Sequence, residues 1–330
     1  MFTDILTHGL EFDSAQIERR VRARITLPEF FGLSFAVGMV VALVWLSPRA
    51  LHYDLENYLN TTYGDYSYYY YGYWLVPIFQ VLGRLPLTLV YVFWSMASIV
   101  AVFLAARIFG GSAPLALISF QMIYVLFQGQ ITGLLIGGSA LLWWGMAQRR
   151  WDWAGLGLLV AATKYQTGLA LGLFLWLLAP LTWRERLRVL VIPVGLVLLS
   201  LVVYPLWFLD VWRTIQSNPP DASASIALWQ WIGPVVLVFW IPPLVLPLAR
   251  TRRLILLVAT TALGLPYFQQ ADLLALFALP VGWIPLLGNL GYFHLAFGEW
   301  GLRVLFLVPL LVYLVIVAMA VWDIFKAGRK

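Results

Sequence analysis

The chain has no cysteine, only three histidines (His8, His52 and His294) and few charges, since 11% of its 330 residues are Asp, Glu, Lys or Arg. The lack of cysteine excludes a disulfide framework and any thiolate metal site. The three histidines are too scattered to suggest a histidine-rich metal centre. A soluble domain carries about 25% charged residues, so water is excluded as the solvent for most of this surface. No basic soluble domain is long enough to offer a face to nucleic acid. What is abundant is apolar: 62% of the residues are hydrophobic and the mean hydropathy is +0.86.

Charge-free runs mark the expected membrane spans. They include Phe30–Pro48, Leu85–Ala106, Ile108–Gln148, Val189–Leu209, Ala222–Ala249, Leu254–Ala271 and Val304–Trp322. Ile108–Gln148 is long enough for two crossings, with a turn expected at Gly129. The fold class expected is all-α: a polytopic integral membrane protein of about 10–12 transmembrane helices. Residues 1–29 are read as a cytoplasmic amphipathic N-terminal segment on the membrane surface. They carry Glu11, Asp13 and Glu18 before the basic cluster and lack the early apolar core of a signal peptide. Residues 30–330 form one integral domain with an outer loop at 49–86.

Basic clusters set the orientation. Arg19–Arg24, Arg149–Arg150, Arg184–Arg188, Arg250–Arg253 and Lys326–Lys330 belong in the cytoplasm by the positive-inside rule. Both termini are then cytoplasmic, the expected location is a plasma (inner) membrane, and the 49–86 loop is outside. Between Trp153 and Trp183 a returning hairpin has only about 15 residues per arm, too short for a full crossing of about 30 Å. Its turn therefore holds Lys164 inside the membrane near the outer face, where a cation needs a cavity or an anion. Pro280, Gly282, Pro285, Gly288 and Gly291 break Leu273–Gly298. Short or re-entrant helices are expected near 153–183 and 273–298.

The outer loop concentrates the chemistry. Nine tyrosines lie between Tyr53 and Tyr73, with the acids Asp54, Glu56 and Asp65 and the base Arg84. The tyrosines suit either an interfacial aromatic belt or a wall that stacks on a sugar and bonds its hydroxyls. Asp54, at the outer end of the first span, suits a general base whose pKa partial burial would raise. Asp54 and Glu56 would face alike in an extended loop and could hold a divalent cation there. In a helix they point about 200° apart, and no metal is assigned.

Three stretches resemble the polyprenol-phosphate-sugar-dependent glycosyltransferases of the membrane GT-C superfamily, nearest to glycosyltransferase family 87. They are Asp54, Tyr58, Gly64, Tyr73 and Pro77 after the first span; Gly129-Gln130 with Leu134-Leu135; and Ala154-Gly155 with Ala161-Ala162-Thr163-Lys164. The likeness covers roughly residues 30 to 185. Pro266 to Asp272 keeps the proline and acid of a later family stretch but has Gln269 and Gln270 where the family has histidine.

The resemblance implies a GT-C-like fold and an inverting mannosyltransferase-like enzyme. It would move a hexose or pentose from a polyprenyl-phosphate donor to a hydroxyl of a lipid-linked or envelope glycan acceptor on the outer side, without cofactor. In that scheme Asp54 is the catalytic base, Lys164 and Arg84 hold the donor phosphate, and Tyr58, Tyr73, Gln130, Gln270 and Asp272 contact substrate. The competing readings are a flippase for lipid-linked intermediates and a non-catalytic envelope-assembly subunit.

Overall fold

The computed structural model describes residues 12–46, 53–220, 225–327 and 329. His52 and the start of the loop expected at 49–86 fall outside them. Among the described residues the fold is all-helical, with a single antiparallel bridge, Ser225 to Gln269, in place of any strand.

The first helix, α1 (Ser14–Arg22), starts where the Asp13 side chain accepts the Ala15 N–H at 2.9 Å. It is fastened to the bundle as well as being amphipathic. Ile17 is fully buried, and Phe12 meets Trp143 edge to face at 5.1 Å. Arg107, near the end of α5 (Leu87–Phe109), reaches back to it. Its guanidinium donates to both carboxylate oxygens of Glu29, at 2.9 and 2.8 Å, and to the carbonyls of Val21 and Ala23. A buried guanidinium needs such a set of acceptors. Glu29 opens α2 (Leu27–Leu46), where it also accepts from the Thr26 backbone and hydroxyl.

The tyrosine-rich stretch from Tyr53 to Pro86 folds into α3 (Tyr53–Leu59) and α4 (Val76–Leu82), followed by α5. Next come α6 (Ala113–Leu117) and α7 (Phe120–Gln128), then α8 (Thr132–Ala147), α9 (Trp151–Ala161) and α10 (Ala170–Leu178). Helix α8 packs between α5 and α9. The approach is close because the contacts are small: a Cβ on Gly137 would lie 2.6 Å from that of Ala101. Then follow α11 (Trp183–Val203), α12 (Trp207–Ser217), α13 (Arg250–Gly264) and α14 (Leu307–Ala327).

Four helical segments are long and apolar enough to cross a membrane: Leu27–Trp45, Leu87–Phe109, Trp183–Val203 and Gly301–Ala327. A fifth is counted if α7 and α8, bent by 113°, form one broken span. The expected 10–12 spanning helices are therefore not found among the described residues. The reason is local: proline lacks an N–H, and glycine weakens a helix. The charge-free run at 222–249 breaks into Trp229–Ile232, Gly233–Trp240 and Ile241–Val245 around Pro234, Pro242 and Pro243. The 273–298 run, expected to hold short or re-entrant helices, is divided into Leu274–Phe277, a 3₁₀ helix at Ile284–Phe293 and His294–Phe297. Between 151 and 178 the short hairpin is present, with Lys164 at its turn.

Candidate functional site

A cavity of about 320 Å³ opens where the tyrosine-rich loop meets two turns of the bundle. Asp54, Gln130 and Lys164 all line it, together with seven tyrosines: Tyr53, Tyr68, Tyr70, Tyr71, Tyr124, Tyr165 and Tyr267. This end of the molecule is termed the tyrosine end. The opposite one, with α1 and Arg107, is the basic end.

Each polar group is set by its own local structure. Leu55, Tyr58 and Leu59 give α3 one buried face at helical spacing. Tyr58 packs on Phe79 and Trp94 beneath it, and that docking aims Asp54 at the cavity. Gln130 follows a complete helix stop. Gly129 takes φ +65°, its N–H donates to the Leu126 carbonyl at 3.3 Å, and the Gln130 N–H donates to that of Val125 at 2.9 Å. This is the left-handed glycine termination of a helix. Trp94 then donates to the Gly129 carbonyl at 3.0 Å, fixing the turn against α5. Lys164 sits in extended backbone after α9, just before a π-helical turn, Tyr165–Leu169. Its carbonyl accepts the Gly168 and Leu169 N–H groups.

The Lys164 ammonium is paired. It donates to Asp272 Oδ1 at 2.7 Å and to Gln269 Oε1 at 3.0 Å. Gln269 Oε1 also accepts from Gln130 Nε2 at 3.1 Å, and Asp272 Oδ1 from the Thr132 hydroxyl at 3.1 Å. Asp272 is almost fully buried, and its Oδ2 has no hydrogen-bond partner among the described residues. One network thus ties the turn at Gln130, the turn at Lys164 and the short turn Gln270–Leu273.

Asp54 keeps part of its surface open to the cavity. Burial raises its carboxyl from the ordinary 3.8 to about 6, and this outweighs the downward pull of the Lys164 charge and of the Gln130 side chain. A carboxylate poised there can take a proton near neutral pH.

Several expected contacts need correction. Tyr58 does not line the cavity, because helical phase puts it in the core, where its hydroxyl meets that of Tyr71 at 3.2 Å. Tyr73 is buried too, stacked between Tyr66 at 5.3 Å and Trp207 at 5.5 Å. Arg84 is exposed on the turn between α4 and α5, away from the cavity lining. Gln270 is buried behind the cavity, its side-chain amide without a partner among the described residues. Asp272 holds Lys164 rather than facing the cavity. Glu56 is exposed, since α3 is helical and turns it away from Asp54.

Sequence reasoning missed Gln269, the bridge between Lys164 and Gln130, by one residue. The short-turn geometry that brings Gln269 forward and Gln270 back leaves no periodic signal. It also missed Thr132, Tyr71, Tyr124, Tyr165 and Tyr267. Only the clustering of tyrosines could have pointed to Tyr71. Comparison of the chain with protein-family models, with curated proteins and with solved structures found no match.

Proposed function

We propose that the chain is an inverting membrane glycosyltransferase. It would transfer a mannose-like hexose or a pentose from a polyprenyl-phosphate donor to a hydroxyl of a lipid-linked or envelope glycan acceptor. The observation that carries this reading is the convergence of Asp54, Gln130 and Lys164, from three separate stretches of the chain, on one tyrosine-walled cavity. The family resemblance noted in the sequence supports it. In this reading the tyrosine end faces outward and the basic end faces the cytoplasm.

In the transfer step Asp54 takes the proton of the acceptor hydroxyl as its oxygen bonds to the anomeric carbon. The bond from that carbon to the donor phosphate oxygen breaks, and its electron pair leaves with the phosphate. Lys164 has three N–H donors, and Asp272 and Gln269 engage two. The third is left for the departing phosphate, and the phenols of Tyr124, Tyr165 and Tyr267 add uncharged donors around it. With Arg84 outside the cavity, no second cation is assigned. Gln130 and the tyrosine faces would hold the sugar.

The test is transfer by the purified full chain from a panel of radiolabelled polyprenyl-phosphate sugars. Asp54→Asn should lower turnover about 10²- to 10⁴-fold, the usual worth of a general base, while still binding donor. Transfer from no donor, or an Asp54→Asn variant with undiminished turnover, would refute the proposal.

A further inference from the structure

A second cavity lies outside this site. It is an apolar groove of about 760 Å³ between α5 and α9, with α8 behind it. Along α5 it extends from Trp94 to Ile108, roughly 21 Å at about 1.5 Å per residue. That approaches the length of one extended phospholipid acyl chain. Leu104, Trp153 and Leu156 on its rim are 36%, 42% and 37% exposed, so it opens sideways, where a bilayer would lie.

The groove is chemically polarised. At the tyrosine end it is lined by Leu75, Ile78 and Phe79, and Lys164 does not reach it. Among the described residues its only charged lining groups are Glu18 and Arg22 of α1, at the basic end beside Trp144 and Trp153. Glu18 and Arg22 stand 3.6 Å apart with side chains 42% and 79% exposed. Such a loose, exposed pair contributes little to the fold. Glu18 is steadied from the other side, where its Oε1 accepts from Gln148 Nε2 at 3.2 Å. One acid and one base at the lip match a headgroup that carries both an anion and a cation. A polyprenyl phosphate held at Lys164 would have its charge at the opposite end.

We propose that this groove binds one acyl chain of a phosphatidylethanolamine-type phospholipid, entering from the leaflet at the basic end. The lipid phosphate rests on Arg22 and its ammonium on Glu18, with Trp144 and Trp153 at the interface. The site is independent of the transferase reading, since it shares no residue with the Asp54 cavity.

Native mass spectrometry of the delipidated full chain tests it by adding back phosphatidylethanolamine, phosphatidylglycerol or polyprenyl phosphate. One phosphatidylethanolamine should be retained per chain and resist exchange by polyprenyl phosphate. Arg22→Gln or Glu18→Gln should each weaken it about fivefold, as expected for one exposed ionic contact, and Glu18→Gln, which removes the partner of the ammonium, should abolish the preference over phosphatidylglycerol. Leu156→Trp, which fills the groove from its exposed rim, should remove binding of either phospholipid. The proposal is overturned if no lipid is retained, if phosphatidylglycerol binds equally with or without Glu18 and Arg22, or if polyprenyl phosphate displaces the bound lipid.

Discussion

Asp54 and Lys164 share one cavity, but their environments differ. Asp54 is held up to about 6 mainly by burial, so transfer that uses its ionised form should rise as pH climbs through about 6. A turnover profile that stays flat between pH 5 and 8 would contradict this. The stability effect has the opposite sign. Because the folded value lies above the ordinary 3.8, the unfolded chain loses this proton first as pH rises, and the group's contribution to stability falls between about pH 4 and 6. Asp54→Asn should therefore unfold in detergent at a temperature no lower than the wild type above pH 7, while losing activity. Lys164 and Asp272 behave as a unit, their side chains 6% and 1% exposed. Neutralising either one strands a buried charge, at a cost of about 3–5 kcal/mol. The double variant Lys164→Met with Asp272→Leu should cost less than the sum of the two single changes. Additive losses in a double-mutant cycle would show that the pair is not coupled.

At the scale of elements, the site depends on helix ends more than on helices. The stop at Gly129 lets Gln130 turn into the cavity, and it is tightly packed: a Cβ there would lie 2.7 Å from that of Leu55 on α3. Gly129→Ala combines that clash with a left-handed backbone worth about 1–2 kcal/mol. It should lower the melting temperature and reduce transfer, since Leu55 adjoins Asp54. Gly38→Ala, where a Cβ would meet nothing within 4 Å, serves as the control. The glycine stop and the short hairpin around Lys164 were legible in the sequence, because glycine, chain length and charge spacing are local signals. The phases of Tyr58, Tyr73 and Gln270 were not. Which side of a short helix or turn faces the cavity depends on what it packs against.

For the whole molecule, orientation is the decisive property, and the lack of cysteine makes it directly measurable. Single cysteines placed at Ser67, near the cavity, and at Arg188, in a basic cluster, should react with a membrane-impermeant maleimide from opposite sides of sealed cells, Ser67 from outside. Outside labelling of Arg188 would reverse the topology and end the proposed function. The sequence alone determined that the chain is helical and apolar, because a low-dielectric solvent permits few alternatives, and that nine of its sixteen tyrosines gather between Tyr53 and Tyr73. Only the tertiary structure decided which charge meets which. The Lys164–Asp272 pair joins residues 108 apart in sequence, and the exclusion of Arg84 and the forward placement of Gln269 depend on how separate turns pack. Such long-range contacts are selected by packing and desolvation energies that no local pattern of residues encodes.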